Sequence, residues 1–175
     1  MGTRVWIAAL SLASALLAGP ASPSSGQGKA SASASPVTSL ASLERQTLAK
    51  VNAYRSSKRL AGLGWNESIA EQARRHSRDM AGGAIAFGHE GFDARMRDLA
   101  KSVKWTGVAE NVFMLRNLPD PAGVAVDGWI DSPGHRQNME GDYDLTGIGI
   151  ARAEDGSLYF TQIFVKSRAP RQPHR

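Results

Sequence analysis

The chain has 175 residues, no cysteine, and 21 Lys and Arg against 16 Asp and Glu, a formal net charge of +5. That length suits one domain once non-structural ends are removed, and the missing cysteine excludes both a disulfide framework and a lipid-bearing cysteine. The positive excess lies at the ends: residues 39–165 hold 15 basic and 16 acidic side chains, a net −1, which argues against a folded nucleic-acid surface.

Residues 1–21, "MGTRVWIAALSLASALLAGPA", predict a secretory signal: Arg4 supplies the positive start, Val5 to Ala18 are nearly all apolar, and small residues follow. The apolar run falls short of the about 20 residues that a bilayer span needs; a retained anchor is the competing reading. Residues 22–38 are mostly Ser, Ala, Pro and Gly, with one lysine, one valine, Gln27 and Thr38. Such a stretch buries too little apolar surface to fold and reads as a disordered linker. The folded domain is expected over 39–166, followed by a basic disordered tail at 167–175.

Within the domain, Leu40, Leu43, Leu48, Val51 and Tyr54 follow a roughly helical spacing with Ser39 as cap. A second helix follows Trp65: Asn66 caps it, Ile69, Ala73, His76 and Met80 share a face, and Gly82-Gly83 ends it. A third is predicted from about Phe92 to Val103. Pro121, with Asp120 before it, opens a fourth, and Pro133 stops that helix near Asp131 by disfavouring helical geometry at Ser132. "VAENVFML" (108–115), "TGIGIAR" (146–152) and "SLYFTQIFV" (157–165) read as strands, the last two joined by a turn at Glu154 to Gly156. Helices come early and strands late, without βαβ alternation, so the class is α+β.

Three histidines lie inside the domain. His76 shares an apolar helical face and reads as a hydrogen-bonded core residue. His89 follows a glycine-rich break, and "HEGFD" (89–93) lacks the second histidine one helical turn on that a zinc-protease helix requires. Glu110 stands between apolar residues; burying its charge costs several kcal/mol unless it is paired, so it either has a partner or lies at an exposed edge. His135 follows the Pro133-Gly134 break, where a sharp loop would hold its ring at the mouth of a cleft. Asn111 and Asn138 read as braces of the backbone, and Asp131 as a solvated helix end. His89, Glu110 and His135 together would form a reasonable first shell for a zinc-like ion with an open position.

Taken together, "VNAYR" (51–55), "LGWNESIAEQARRHSRDMA" (63–81), "FGHEG" (87–91), "AENVF" (109–113), "GWIDSPGHRQNM" (128–139), "TGIGIA" (146–151) and "YFTQIFV" (159–165) resemble the bacterial, cysteine-free branch of the CAP (SCP-domain) superfamily. This superfamily groups cysteine-rich secretory proteins, antigen 5 and pathogenesis-related proteins. The pieces occur in the family's order over about 115 residues. The resemblance implies an α-β-α sandwich around a three-stranded antiparallel sheet, with an open cleft that binds divalent metal in some members. His89, Glu110 and His135 match its metal-site positions. Two departures stand out: Ile130, Asp131 and Ser132 follow Trp129 where eukaryotic members carry a second glutamate, and Tyr159 stands where they carry a histidine on the last strand.

The expected function is that of a secreted or periplasmic, monomeric binding module. Its cleft would take a divalent metal, zinc first, and an extracellular ligand that is a lipid, sterol, glycan or protein, with no nucleic acid and no membrane span after signal cleavage. The alternative is a metal-dependent extracellular hydrolase. A serine hydrolase lacks support, since no Gly-x-Ser-x-Gly elbow is present. An imidazole pair with an ordinary pKa of about 6.5 would also make metal binding differ strongly between pH 5 and 7.5.

Overall fold

The structure is a computed structural model that describes residues 39–168. The expected signal, the linker and residues 169–175 of the tail lie outside the described residues. In chain order the elements are α1 (Leu40–Ser57), β1 (Gly64–Trp65), α2 (Glu67–Ala81), α3 (Phe92–Leu99), β2 (Trp105–Leu115), α4 (Pro121–Asp131), α5 (Pro133–Glu140), β3 (Leu145–Arg152) and β4 (Leu158–Ser167). The three predicted caps are in place: the side chains of Ser39, Asn66 and Asp120 accept from the backbone N–H groups of Ser42, Ile69 and Gly123.

The sheet differs from the expected three antiparallel strands. It has four, in the order β1-β3-β4-β2, and β1 pairs parallel with β3. Only Gly64 and Trp65 form this extra strand, tied by Gly64 N–H to Asp144 O at 2.8 Å and Asn66 N–H to Thr146 O at 2.9 Å. Two residues carry no alternation, so no sequence periodicity marks them. The antiparallel core of β3, β4 and β2 is as expected, as are the helices on both faces.

One face of the sheet packs α2 and α3 through Ile69, Ala73, Met96 and Leu99 against Val108, Ile163 and Val165. The other packs α1, α4 and α5 through Val51, Ala125, Trp129 and Met139 against Ile148, Phe160 and Phe164. The alternation of "TGIGIAR" thus serves two purposes. Ile148 and Ile150 fill one core, while Gly147 and Gly149 let the α2 backbone lie directly on β3. A Cβ on Gly147 would stand 2.1 Å from the Ala70 nitrogen, and one on Gly149 2.0 Å from the Arg74 nitrogen.

Both edges of the sheet are closed by side chains. On β3, beyond the reach of β1, the buried Glu44 carboxylate accepts the Ile150 N–H at 3.2 Å and is held by the Arg74 guanidinium at 2.7 Å. On β2, the Trp129 indole donates to Val112 O at 3.0 Å, and the Asn138 amide donates to Glu110 O at 3.2 Å and to Asn111 Oδ1 at 2.9 Å. These contacts block further strand pairing.

His135 does not sit in a loop. Pro133 ends α4 and also begins α5, because its fixed φ and missing N–H suit a first helical position. Ser132 takes the extended conformation that a following proline demands, at φ −90° and ψ 116°. Arg136 then ties the corner by donating to Ile130 O at 2.8 Å. The third helix ends at Leu99, earlier than expected, because residues 100–102 turn towards β2.

Substituting Gly147 by Ala should destabilise the protein by about 1–3 kcal/mol through overpacking, read as a lower urea midpoint at unchanged slope. Gly62→Ala, whose new methyl would meet only the Asn52 side chain at 3.5 Å, should shift the midpoint far less.

Candidate functional site

The buried carboxylate of Glu110 organises the site. Glu110 lies on β2, 4% exposed, and three basic side chains converge on it from three elements. His89, in the loop between α2 and α3, donates from Nδ1 to Oε1 at 3.0 Å. Arg95, on α3, places Nη2 at 2.7 Å from Oε1 and 2.8 Å from Oε2. His76, on α2, brings Nε2 to 3.8 Å from Oε1 while donating it to Gly88 O at 2.8 Å. Burial alone would raise the Glu110 carboxyl; the hydrogen bond from His89 and the charge of Arg95, with His76 behind them, outweigh it and hold the group below its usual range.

This geometry selects tautomers. A carboxylate only accepts, so His89 carries a proton on Nδ1 and turns Nε2 away from Glu110. Nε2 is buried without a protein hydrogen-bond partner. His135 reaches the same place from α5: its ring centre is 6.4 Å from that of His89. It is 4% exposed, and neither ring nitrogen has a protein partner. The Asn111 amide holds the His135 carbonyl at 3.0 Å, so both asparagines brace backbone as expected. Asp131 is exposed at the end of α4, as read from the sequence.

The structure therefore brings His89 and Glu110 into direct contact and sets His135 beside His89. Among the described residues, no group of three or more His, Cys, Asp and Glu side chains is arranged to hold a metal ion; the Glu110 carboxylate lies on the Nδ1 side of His89 and is covered by Arg95. The imidazole pair offers an ion free buried nitrogens on both rings. Two rings on one tetrahedral zinc-like ion, at about 2.0–2.1 Å from nitrogen to metal, have centres roughly 5 Å apart, so the pair, at 6.4 Å, would close in by about 1 Å to share one. His76 is in the core, as expected, and it also touches the site.

Arg95 is the residue that sequence reading missed. Its signal was the unpaired charge itself: a carboxylate set among apolar residues demands a cation, and "FDARMRDL" offers one a turn beyond Gly91. Gly91 adopts φ 73°, a left-handed conformation suited to glycine, and a Cβ there would meet Arg95 Nη1 at 3.3 Å.

Beside the imidazoles opens a groove of about 530 Å³, within the range of small-molecule sites. Its walls include Phe87, Phe113, Leu118, Val124 and Tyr159, and His135 and Ser157 are the buried polar residues in its lining. Phe87 and Leu118, 41% and 48% exposed, are the large apolar side chains most open to solvent among the described residues, and both face this groove. Gly128 makes room for the Phe113 ring, since a Cβ there would stand 2.3 Å from it. Arg116 and Asp155 pair at 3.4 Å in the same lining.

A sandwich of helices about a mixed sheet, with a histidine-lined cleft beside an edge strand, defines the class of fold. The chain belongs to the cysteine-rich secretory protein (CAP) family, whose profile matches residues 48–164. It is 33% identical over 127 residues to the uncharacterized membrane protein YlbC of Bacillus subtilis, covering 70% of this chain and 34% of that protein. Among solved structures, it is similar to an extracellular SCP-domain protein from Bacillus anthracis, at 26% identity and a TM-score of 0.59, covering 71% of this chain and 40% of that one. A cysteine-rich secretory protein from Staphylococcus aureus shares the fold at 21% identity and a TM-score of 0.61, covering 75% and 40%. The chain thus spans well under half the length of these relatives.

Burial and the neighbouring His89 lower the His135 pKa to about 4. Its ring is then neutral at both pH 5 and 7.5, which removes His135 as a source of the strong pH dependence expected for the pair. The unfolded chain binds a proton at about pH 6.5 that the folded chain excludes until about pH 4. In metal-free protein, stability should therefore fall as pH drops through this window, by on the order of 3 kcal/mol. His135→Gln should flatten that slope in urea melts at successive pH values.

Proposed function

We propose that this chain is an exported, monomeric binding module whose cleft holds a divalent ion, zinc first, on His89 and His135 and takes an extracellular ligand along the adjoining groove. The single observation that carries the reading is His135: a buried, neutral imidazole with two unpartnered nitrogens, lining an apolar groove with its ring centre 6.4 Å from that of His89. A buried polar group without a partner costs about 1–3 kcal/mol, so the position favours whatever donor or ion meets it. Depressed basicity suits ligation, since only neutral imidazole coordinates.

In this reading Glu110 stands behind the ion. It fixes the His89 tautomer and keeps Nε2 available, the usual part of a carboxylate paired with a ligating histidine. A bound divalent ion would supply Lewis acidity and a fixed positive charge; His89 and His135 would hold it, and the groove would exclude water from the ligand's apolar body. The groove suits a lipid or sterol through its apolar walls, and a glycan or peptide only where apolar parts enter it. Export draws on the apolar amino-terminal run and on the extracellular relative from Bacillus anthracis; among the described residues, no helix is long and apolar enough to cross a membrane.

Zinc titrated into metal-stripped protein by calorimetry should bind at one site, and His135→Ala should weaken it by at least about tenfold. Equal affinities in the two proteins would remove the ion from the reading. Casein or ester turnover that requires zinc and disappears in the same variant would move the assignment to the hydrolase, for which the Glu110–His89 pair offers an oriented base. For the groove, Leu118→Asp should weaken binding of a fluorescent long-chain alcohol by roughly fivefold or more, because an exposed apolar wall residue becomes charged; unchanged binding would place apolar ligands elsewhere.

A further inference from the structure

We propose that the open end of β2 is a strand-addition site: an extended segment of another polypeptide, apolar on both faces, lies in the groove and hydrogen-bonds to the main chain of Met114. The inference rests on the groove reading above and deepens it by naming the class of ligand; it does not depend on the ion.

Val112 to Arg116 are consecutive in the chain, and all of them line the groove. Successive strand residues point their side chains to opposite faces of a sheet. A groove touched by the whole run therefore wraps the edge of β2, the outermost strand on that side. The contacts at Glu110 and Val112 fix which way the main chain faces. Their carbonyls accept from Asn138 and Trp129, outside the sheet, so alternate residues counted from Glu110 turn N–H and C=O away from β4. Met114 is the next in that series, and the pairing with β4 keeps its register from Gly107 to Leu115. Side-chain closure of this edge stops at Val112. Among the described residues, no loop, helix or side chain takes up the N–H or C=O of Met114. Apolar walls stand on both sides of it. Tyr159, the cross-strand partner of Met114, shares its face, with the Phe87 ring 6.3 Å away. Phe113 and Val124 pack with the core on the opposite face. An added strand sends alternate side chains to the two walls while its main chain meets Met114. A hydrocarbon chain would fill the same walls, but it would cover the Met114 N–H and C=O without replacing their bonds to water, which opposes binding.

The probe is a fluorescein-labelled peptide, Lys-Val-Phe-Val-Phe-Val-Lys, followed by fluorescence anisotropy, with amide hydrogen exchange at Met114 as a second readout. The peptide should bind and slow exchange of the Met114 amide. A copy N-methylated at its central amides keeps the side chains and loses the main-chain donors; it should bind at least about fivefold more weakly. Met114→Pro removes an outward N–H at a place where an edge strand tolerates proline, and should weaken the parent peptide by a similar factor. Met114→Ala keeps that N–H and should weaken it less. If the proline variant does not fold, the methylated peptide carries the test. Equal binding of the two peptides, or an unchanged Met114 amide, would overturn strand addition. So would a dimer of the protein that Met114→Pro dissolves, which would give the edge to a second copy. No peptide binding, while a fluorescent long-chain alcohol binds and is weakened by Leu118→Asp, would overturn this proposal and leave the groove to hydrocarbon ligands. Binding of neither probe would remove the groove reading, and this proposal with it.

Discussion

A single buried negative charge governs how the parts of this molecule meet. Glu110 is carried on a strand whose neighbours are apolar, and its carboxylate is out of water. The fold meets that constraint with side chains from α2, the α2–α3 loop and α3, which must all arrive at one point. The short α3 helix and its glycine turn make sense in this light: they deliver Arg95 to the carboxylate. Removing one member of such a cluster leaves the rest buried and unbalanced, which is why partly satisfied networks destabilise more than absent ones.

The second organising constraint is the treatment of sheet edges. A four-stranded sheet with two open edges invites pairing with other chains. Here Glu44 closes one edge at Ile150, and Trp129 and Asn138 close the other at Val112 and Glu110. The closure of β2 also positions chemistry. The helix that supplies Asn138 carries His135 one turn earlier, so the hydrogen bonds that seal the strand bring an imidazole to His89. Edge protection and site assembly are thus one set of contacts.

Most of the architecture was legible in the sequence because it rests on local rules. Caps at Ser39, Asn66 and Asp120, the glycine stop after α2, the alternation of β3 and the aromatic and β-branched run of β4 all follow from neighbours within a few residues. Two features resisted for the same physical reason. The pairing of Gly64-Trp65 with β3 depends on a strand about 80 residues away, and no periodicity fits into two positions. The helical setting of His135 turned on whether Pro133 acts as a stop or a start, and it does both. At the site, the need for a partner to Glu110 was readable from its apolar neighbours. Which partner was not, because the sequence presents Arg95 as one charge among several on α3, and only the fold distinguishes it from Arg97, which is exposed.

The contacts that hold α4 and α5 against β2 have a character of their own. Asn138 and Trp129 reach the main-chain oxygens of Glu110 and Val112, and Asn111 reaches the main-chain oxygen of His135. A carbonyl is the same whatever side chain its residue bears. The clasp therefore holds without reference to the imidazole it presents, and position 135 is a socket into which other side chains can be set while the frame around it persists.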